Sequence, residues 1–302
     1  FEHLAATSEE KQLGEAGILL WRNMNNSYCQ TAMGWTTEND FSGLYAGTSM
    51  PAGSLVGYME SHDEERTGFK AWKWGNTGVI ASTTSTNTGM SPATGSNINL
   101  STRTKRLATN AAFFLTVPGP KMIWQFGELG YDFSINNNSC LLYTSDGSGY
   151  DDQGGFRTDP KPIRWDYFED ADRKKLYETY AALLDLRHSY PELFASNTTF
   201  SWKVGTANWD NGRTLSATSI DGKSLVVVGN FTLADKNFSV TFQETGTWYE
   251  LLKDNEPLNV SSTTQTIAVP AHEFRLFTNF KPTLTGIETT APDAEKPLIY
   301  YN

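Results

Sequence analysis

The sequence predicts an α/β unit built on a parallel sheet, followed by an all-β antiparallel unit. Three observations carry this reading. Short continuous apolar runs alternate with helix-spaced segments through the first two thirds of the chain. Polar, chemistry-bearing residues follow directly on one of those runs. Beyond Pro191 the period changes from helical to alternating. With 302 residues, the chain is long enough for two hydrophobic cores.

Taken in order, Thr7 and Glu10 stand at capping-box spacing and open a short helix over 8–15. Residues 17–21 and 55–59 are apolar runs of strand length, as expected for strands covered on both faces. The second run leads straight into Glu60-Ser61-His62-Asp63-Glu64-Glu65-Arg66. Residues 79–99 form a Ser/Thr/Asn/Gly-rich loop, and 102–115 read as a helix with apolar positions 107, 111, 114 and 115. The turn Pro118-Gly119-Pro120 introduces a third strand over 121–126. A polar loop over 136–158 precedes the strongest helix in the chain, 171–189, which Pro191 stops. Asn211-Gly212 and Asp221-Gly222 then mark two-residue hairpins between β-rich runs at 214–220 and 224–228. Further strands are expected at 238–242, 247–252, 264–269 and 273–277, about seven in all, arranged as a sandwich.

Charged residues make up only 19% of the chain, so uncharged polar groups must cover much of its surface, a composition that suits a secreted, periplasmic or cell-surface protein. The net charge of −10 argues against a nucleic-acid partner, whose phosphates are bound by clustered Lys and Arg. No apolar run reaches the ~18 residues of a membrane-spanning helix. The sequence starts at Phe1 and shows no leader, so a targeting segment is expected upstream or already removed. Cys29 and Cys140 cannot form a disulfide framework and are expected to be small buried residues.

The carboxylates around His62 stand at a strand's C-terminal end, where ligand sites of parallel α/β folds collect and where carboxyl groups can be tuned for acid–base work. A solvated charged loop is the plainer reading of such a run. Glu2 is a further candidate beside His3. A metal site built on His3 and His62 lacks the i, i+4 spacing of helical zinc sites, and no metal ligand is assigned. A serine or cysteine nucleophile lacks its elbow motif. Trp72, Trp74, Trp124 and Tyr131 fall near the strand ends, where an aromatic face can stack on a sugar; core packing is the alternative for each.

At these residues the sequence resembles a known family. Gly57-Tyr58-Met59-Glu60-Ser61-His62-Asp63-Glu64-Glu65-Arg66 is similar to the His-Asp motif at the seventh barrel strand of the α-amylase superfamily, glycoside hydrolase family 13. Residues 115–128, ending Phe126-Gly127-Glu128, resemble the eighth-strand motif. The resemblance implies that Asp63 stabilises the transition state and that His62 contacts the sugar before the cleaved bond. It also makes Glu2, at the end of a fifth strand, the general acid/base. Residues 160–194 resemble the last barrel helix. The implied architecture is the second half, strands five to eight, of a TIM (β/α)₈ barrel over 1–195 and a C-terminal β-sandwich over 196–280. A linker and the start of a sorting-type tail would occupy 281–302.

The implied activity is retaining hydrolysis of α-1,4-glucosidic bonds in starch-like α-glucans by a protein that is monomeric at full length. The nucleophilic aspartate would lie in a missing preceding half, which is also where this family's calcium would bind; no cofactor is assigned within the chain. A non-catalytic carbohydrate-binding protein and an α-glucan transglycosylase such as a branching enzyme are the alternatives.

Overall fold

The computed structural model describes Glu2 and residues 7–45, 50–51, 53–76, 98–136, 157–158 and 161–284. The 79–97 part of the predicted loop, Cys140, most of the 136–158 loop and the tail from 285 onward lie outside these residues, as do Phe1 and His3 of the expected fifth strand.

The first unit is a parallel sheet of three strands, β1 (Leu20–Asn23), β2 (Leu55–Tyr58) and β3 (Lys121–Met122), in that spatial order. Leu20 lies opposite Leu55, and Gly57 opposite Lys121. Among the described residues five helices accompany it: α1 (Thr7–Glu15), α2 (Asn25–Met33), α3 (Thr67–Trp74), α4 (Leu100–Leu115) and α5 (Ala171–Ser189). The expected parallel pairing is therefore present, with two shifts. The run at 17–21 contributes to the sheet only from Leu20, because Gly17 takes φ +83° and the Ile18 amide closes the end of α1 on the Leu13 carbonyl. β3 is far shorter than the expected 121–126. The chain leaves the ladder after Met122, and Phe126 adopts φ 63° at the start of a 3₁₀ turn, Gly127–Leu129.

The sequence gives little signal for α2, whose Asn, Ser, Cys and Thr residues are weak helix formers. It forms by burying Tyr28, Cys29, Ala32 and Met33. Gly34 ends it with φ 80°; the Gly34 amide bonds the Thr31 carbonyl and the Trp35 amide the Gln30 carbonyl, the paired closure of a Schellman turn. α4 begins two residues before its predicted start because Asn99 Oδ1 accepts the Thr102 amide at 2.8 Å. α5 spans the predicted residues, and Asp170 caps it by accepting the Asp172 and Arg173 amides.

The second unit contains eight strands: β4 (Thr199–Lys203), β5 (Arg213–Thr218), β6 (Ser224–Gly229), β7 (Lys236–Thr241), β8 (Gly246–Glu250), β9 (Glu256–Val260), β10 (Thr264–Val269) and β11 (Phe274–Thr278). Six form one antiparallel sheet, ordered β4-β5-β6-β11-β8-β9, and β7 and β10 pair as a second. The two strands not expected, β4 and β9, are the edges of the large sheet. Residues there need not be covered on both faces, and Pro257 is tolerated. The Asp221-Gly222 hairpin is observed, with Gly222 at φ 89° closing a turn onto the Ser219 carbonyl. Asn211-Gly212 is not a two-residue hairpin. It ends a longer connection that includes a 3₁₀ turn, Thr206–Asn208.

The large sheet is covered on both faces, which explains why Ser-Leu-Val-Val-Val-Gly in β6 is buried at every position. Val226, Val228, Trp248 and Phe277 pack on one side with Phe238, Val240, Ile267 and Val269 of the small sheet. Leu215, Leu225, Val227 and Leu276 belong to the core that also holds Phe113 and Phe114 of α4 and Leu183 of α5. Polar latches reinforce this junction. Arg213, fully buried, donates to the backbone and side-chain oxygens of Asn39 at 2.5 and 2.6 Å and lies over the Phe41 ring. Arg106 of α4 donates to the Met33 and Asn76 carbonyls and to His272 Nδ1.

Candidate active site

β2 delivers residues 60–66 to the C-terminal end of the parallel sheet, and tertiary contacts then sort its acids. Glu64 is used locally: Asn23 and Tyr58 donate to Oε1, and Ser61 donates to Oε2. Glu65 reaches across to the segment after β3, accepting from Ser134 Oγ at 2.6 Å and the Ile135 amide at 2.9 Å. Glu60 is buried; Thr67 Oγ1 donates to Oε1 at 2.8 Å, and Oε2 is buried with no hydrogen-bond partner. Burial pushes its carboxyl up to about 7, against the opposing pull of the neighbouring Arg66. Three of the four crowded acids of the loop therefore hold it in shape.

Asp63 is the one turned outward. His62 Nε2 lies 3.7 Å from Asp63 Oδ2 and 4.0 Å from Glu2 Oε2, and all three side chains are about half exposed. Ligand-capable atoms of Glu2, His62 and Asp63 lie within 4.8 Å of one another. Two carboxylates more than sixty positions apart in sequence thus share one imidazole, and Arg157 adds bonds to the Asp63 side chain at 2.7 Å and backbone at 2.6 Å. His62 and Asp63 of this group line a cleft of about 630 Å³ together with Arg66, Trp124, Arg157 and Lys161, among others.

Aromatic rings frame the imidazole. Trp21 meets it edge-on at 6.1 Å between centroids, and Trp124 lies at the same distance with Arg66 over its ring. Trp124 thus lines the cleft. Tyr131, offered by the sequence as a sugar-stacking face, is instead 2% exposed in a small aromatic core and donates to the Pro162 carbonyl. Trp72 and Trp74 lie on α3 against Phe69 rather than in the cleft lining. Trp21 and Arg157 are the residues sequence reasoning missed. Trp21 ends an apolar run that reads as pure core, and Arg157 lies in a loop without periodicity.

The helix-spacing test gave no metal assignment, whereas the fold assembles a three-ligand group at Glu2, His62 and Asp63. That set is a poor fit to calcium, which takes six to eight oxygen ligands, because it offers an imidazole nitrogen and an Asp63 carboxylate already engaged by Arg157. Cys29 is buried, as expected for a small apolar residue, and Cys140 lies outside the described residues.

No protein-family model matches the chain, and no curated protein matches it. Solved structures do. A complex of an AmyP variant with maltotriose aligns over 93% of this chain and 55% of its own, with TM-score 0.61 and 13% identity. An Anoxybacillus α-amylase aligns over 92% and 51%, with TM-score 0.56 and 15% identity. The Bacillus licheniformis trehalose-6-phosphate hydrolase aligns over 92% and 55%, with TM-score 0.54 and 14% identity. The chain spans about half the length of these structures. The fold is that of the α-amylase-type glycoside hydrolases, in agreement with the resemblance carried by the sequence motifs, and it covers part of their architecture.

Proposed function

We propose that this chain is the strand-five-to-eight half of an α-amylase-type (β/α)₈ barrel with its C-terminal β-sandwich, and that the parent protein hydrolyses α-1,4-glucosidic bonds with retention. The observation that carries this is the convergence of Glu2, His62 and Asp63 beyond the C-terminal ends of parallel strands. In this reading Glu2 protonates the leaving glycosidic oxygen and later deprotonates water. Asp63 stabilises the positive charge that develops on the oxocarbenium-like sugar, and His62 bonds the sugar hydroxyls between them. Trp21 and Trp124 hold the imidazole ring in place. The attacking carboxylate comes from the other half of the barrel, about 5–5.5 Å from the acid in retaining enzymes. The substrate class is a starch-like α-glucan, and a secreted or cell-surface setting fits the weakly charged composition.

The test is to express the protein with its upstream region and assay reducing-sugar release from soluble starch. The upstream chain is expected to supply an Arg-x-Asp at a strand end. Glu2→Gln and Asp63→Asn should each lower kcat by about 10³-fold or more with the melting temperature unchanged. Full activity in both variants overturns the assignment. Chain-length redistribution of amylose without net hydrolysis points to a transglycosylase, and tight glucan binding without turnover to a non-catalytic protein.

A further inference from the structure

Close in sequence to the cleft-lining Lys161 lies a second exposed apolar surface. Ile163 and Trp165 are 60% and 67% exposed, among the most exposed large apolar side chains of the described residues. Trp165 is nonetheless fixed. It opens a 3₁₀ turn, Trp165–Glu169, and meets Phe126 edge-on with centroids 4.9 Å apart. Phe126 belongs in turn to the aromatic core of Leu129, Tyr131, Phe133 and Tyr167. An indole held on a packed support with its surface turned to water is preorganised for a flat apolar partner, since no ring has to be immobilised on binding.

The polar surroundings are ordered as well. Arg164 makes a two-pronged pair with Asp166, Nε to Oδ1 at 2.8 Å and Nη2 to Oδ2 at 2.6 Å, and lies over the Tyr167 ring. The Asp166 side chain remains 60% exposed, so acceptor capacity faces solvent beside the indole. An apolar face next to planar hydrogen-bonding groups matches a pyranose, which has a C–H face and a rim of hydroxyls. A buried protein interface would instead leave the Arg164–Asp166 pair to be desolvated.

Position links this patch to the cleft. Trp124 lines the cleft, and two residues further along the same segment Phe126 supports Trp165. Lys161 is also in the cleft lining, and the bond from Tyr131 to the Pro162 carbonyl fixes the short stretch between Lys161 and Trp165. Resting on the glucan reading above, we infer that Trp165, with Ile163 and Asp166, forms an auxiliary binding platform that holds a malto-oligosaccharide chain where it leaves the cleft. A two-sugar ligand seated in the cleft does not need the platform; a longer chain gains affinity from it.

The experiment is calorimetric titration of the 302-residue chain, and of the protein with its upstream region, with maltose and maltoheptaose. Wild type should bind maltoheptaose more tightly than maltose. Trp165→Ala should weaken maltoheptaose binding about fivefold, the size of one lost aromatic stack, and leave maltose unchanged. Trp165→Phe should restore most of the loss, and equal melting temperatures would show that both variants fold. Maltoheptaose affinity unchanged in Trp165→Ala overturns the platform while leaving the glucan reading intact. Absence of any malto-oligosaccharide binding by wild type overturns both. Self-association abolished by Trp165→Ala, seen by sedimentation equilibrium without any effect on glucan affinity, also overturns it in favour of a second copy as the occupant.

Discussion

Between the two antiparallel sheets the core is built from Val226, Val228, Phe238, Val240, Phe242, Trp248, Ile267 and Phe277. Around the C-terminal ends of β2 and β3, by contrast, the interior holds Glu60, Arg66, Arg103, Asp132 and Arg173. The contrast follows from how each region satisfies its backbone. Paired antiparallel strands bond one another along their length, so only apolar surface remains to be packed. Parallel strands end in irregular loops whose amides and carbonyls need side-chain partners, as when Arg173 takes the Leu129 and Gly130 carbonyls and Glu65 takes the Ile135 amide. Charged groups brought inside for that purpose can also be tuned, and the candidate site lies in the region that contains them.

The largest effect should come from the dry region. Trp248 is fully buried, and Trp248→Ala should cost about 3–5 kcal/mol, read as a lowered midpoint in urea unfolding. A loss below about 1 kcal/mol would mean that the second core contributes little to global stability.

Next in size is the ionic region. Burial alone would raise the Asp132 carboxyl, but Arg173 at 2.6 Å, Arg103 at 2.9 Å and the Tyr167 hydroxyl outweigh it and hold it below its usual range. Asp132→Ala strands two buried guanidinium groups and should cost about 3 kcal/mol in the same urea experiment. A neutral result would show that water reaches both arginines.

Two titrations sharpen the contrast with opposite signs. Glu60 is held up to about 7 against an unfolded value of 4.5, so the folded chain keeps a proton that the unfolded chain releases. Its contribution is fully present below pH 4.5 and is lost as pH rises to about 7. Glu60→Gln keeps the neutral shape, and its stability relative to wild type should grow across that window by on the order of 2 kcal/mol. A difference that does not change with pH would refute the raised value.

His272 runs the other way. Burial and the nearby Arg106 and Lys105 push its imidazole down to about 4, while Nδ1 accepts the Arg106 bond. The stability it contributes is present above pH 6.5 and is lost as pH falls toward 4. Partial exposure screens the effect, so His272→Gln should flatten the acid limb of the unfolding curve by only about 1 kcal/mol. An unchanged acid limb would place the pH sensitivity elsewhere.

Much of this fold was legible before any coordinates. Ala171–Ser189 and Thr264–Val269 match their predicted spans, and the run at 55–59 matches β2 to within one residue, because each has a strong period or an unmistakable stop. The helix at α2 was not legible, since its residues are weak helix formers and its stability comes from what it buries. The edge strands β4 and β9 escaped for the opposite reason: one-sided or partial burial leaves a weak pattern.

At the site, the family resemblance singled out His62 and Asp63 and, by strand order, Glu2, whereas the local pattern of a strand end followed by crowded acids and a histidine marked only residues 60–66 as a whole. That pattern could not rank Glu60, Asp63, Glu64 and Glu65, which look alike along the chain. Only the tertiary structure decided that Glu64 serves Asn23 and Ser61, that Glu65 serves Ser134 and Ile135, and that Glu60 is buried against Thr67. Asp63 was left to face Glu2 across the His62 ring. A carboxylate's role depends on its partners and its exposure to water, and both are set by residues brought near from distant parts of the chain.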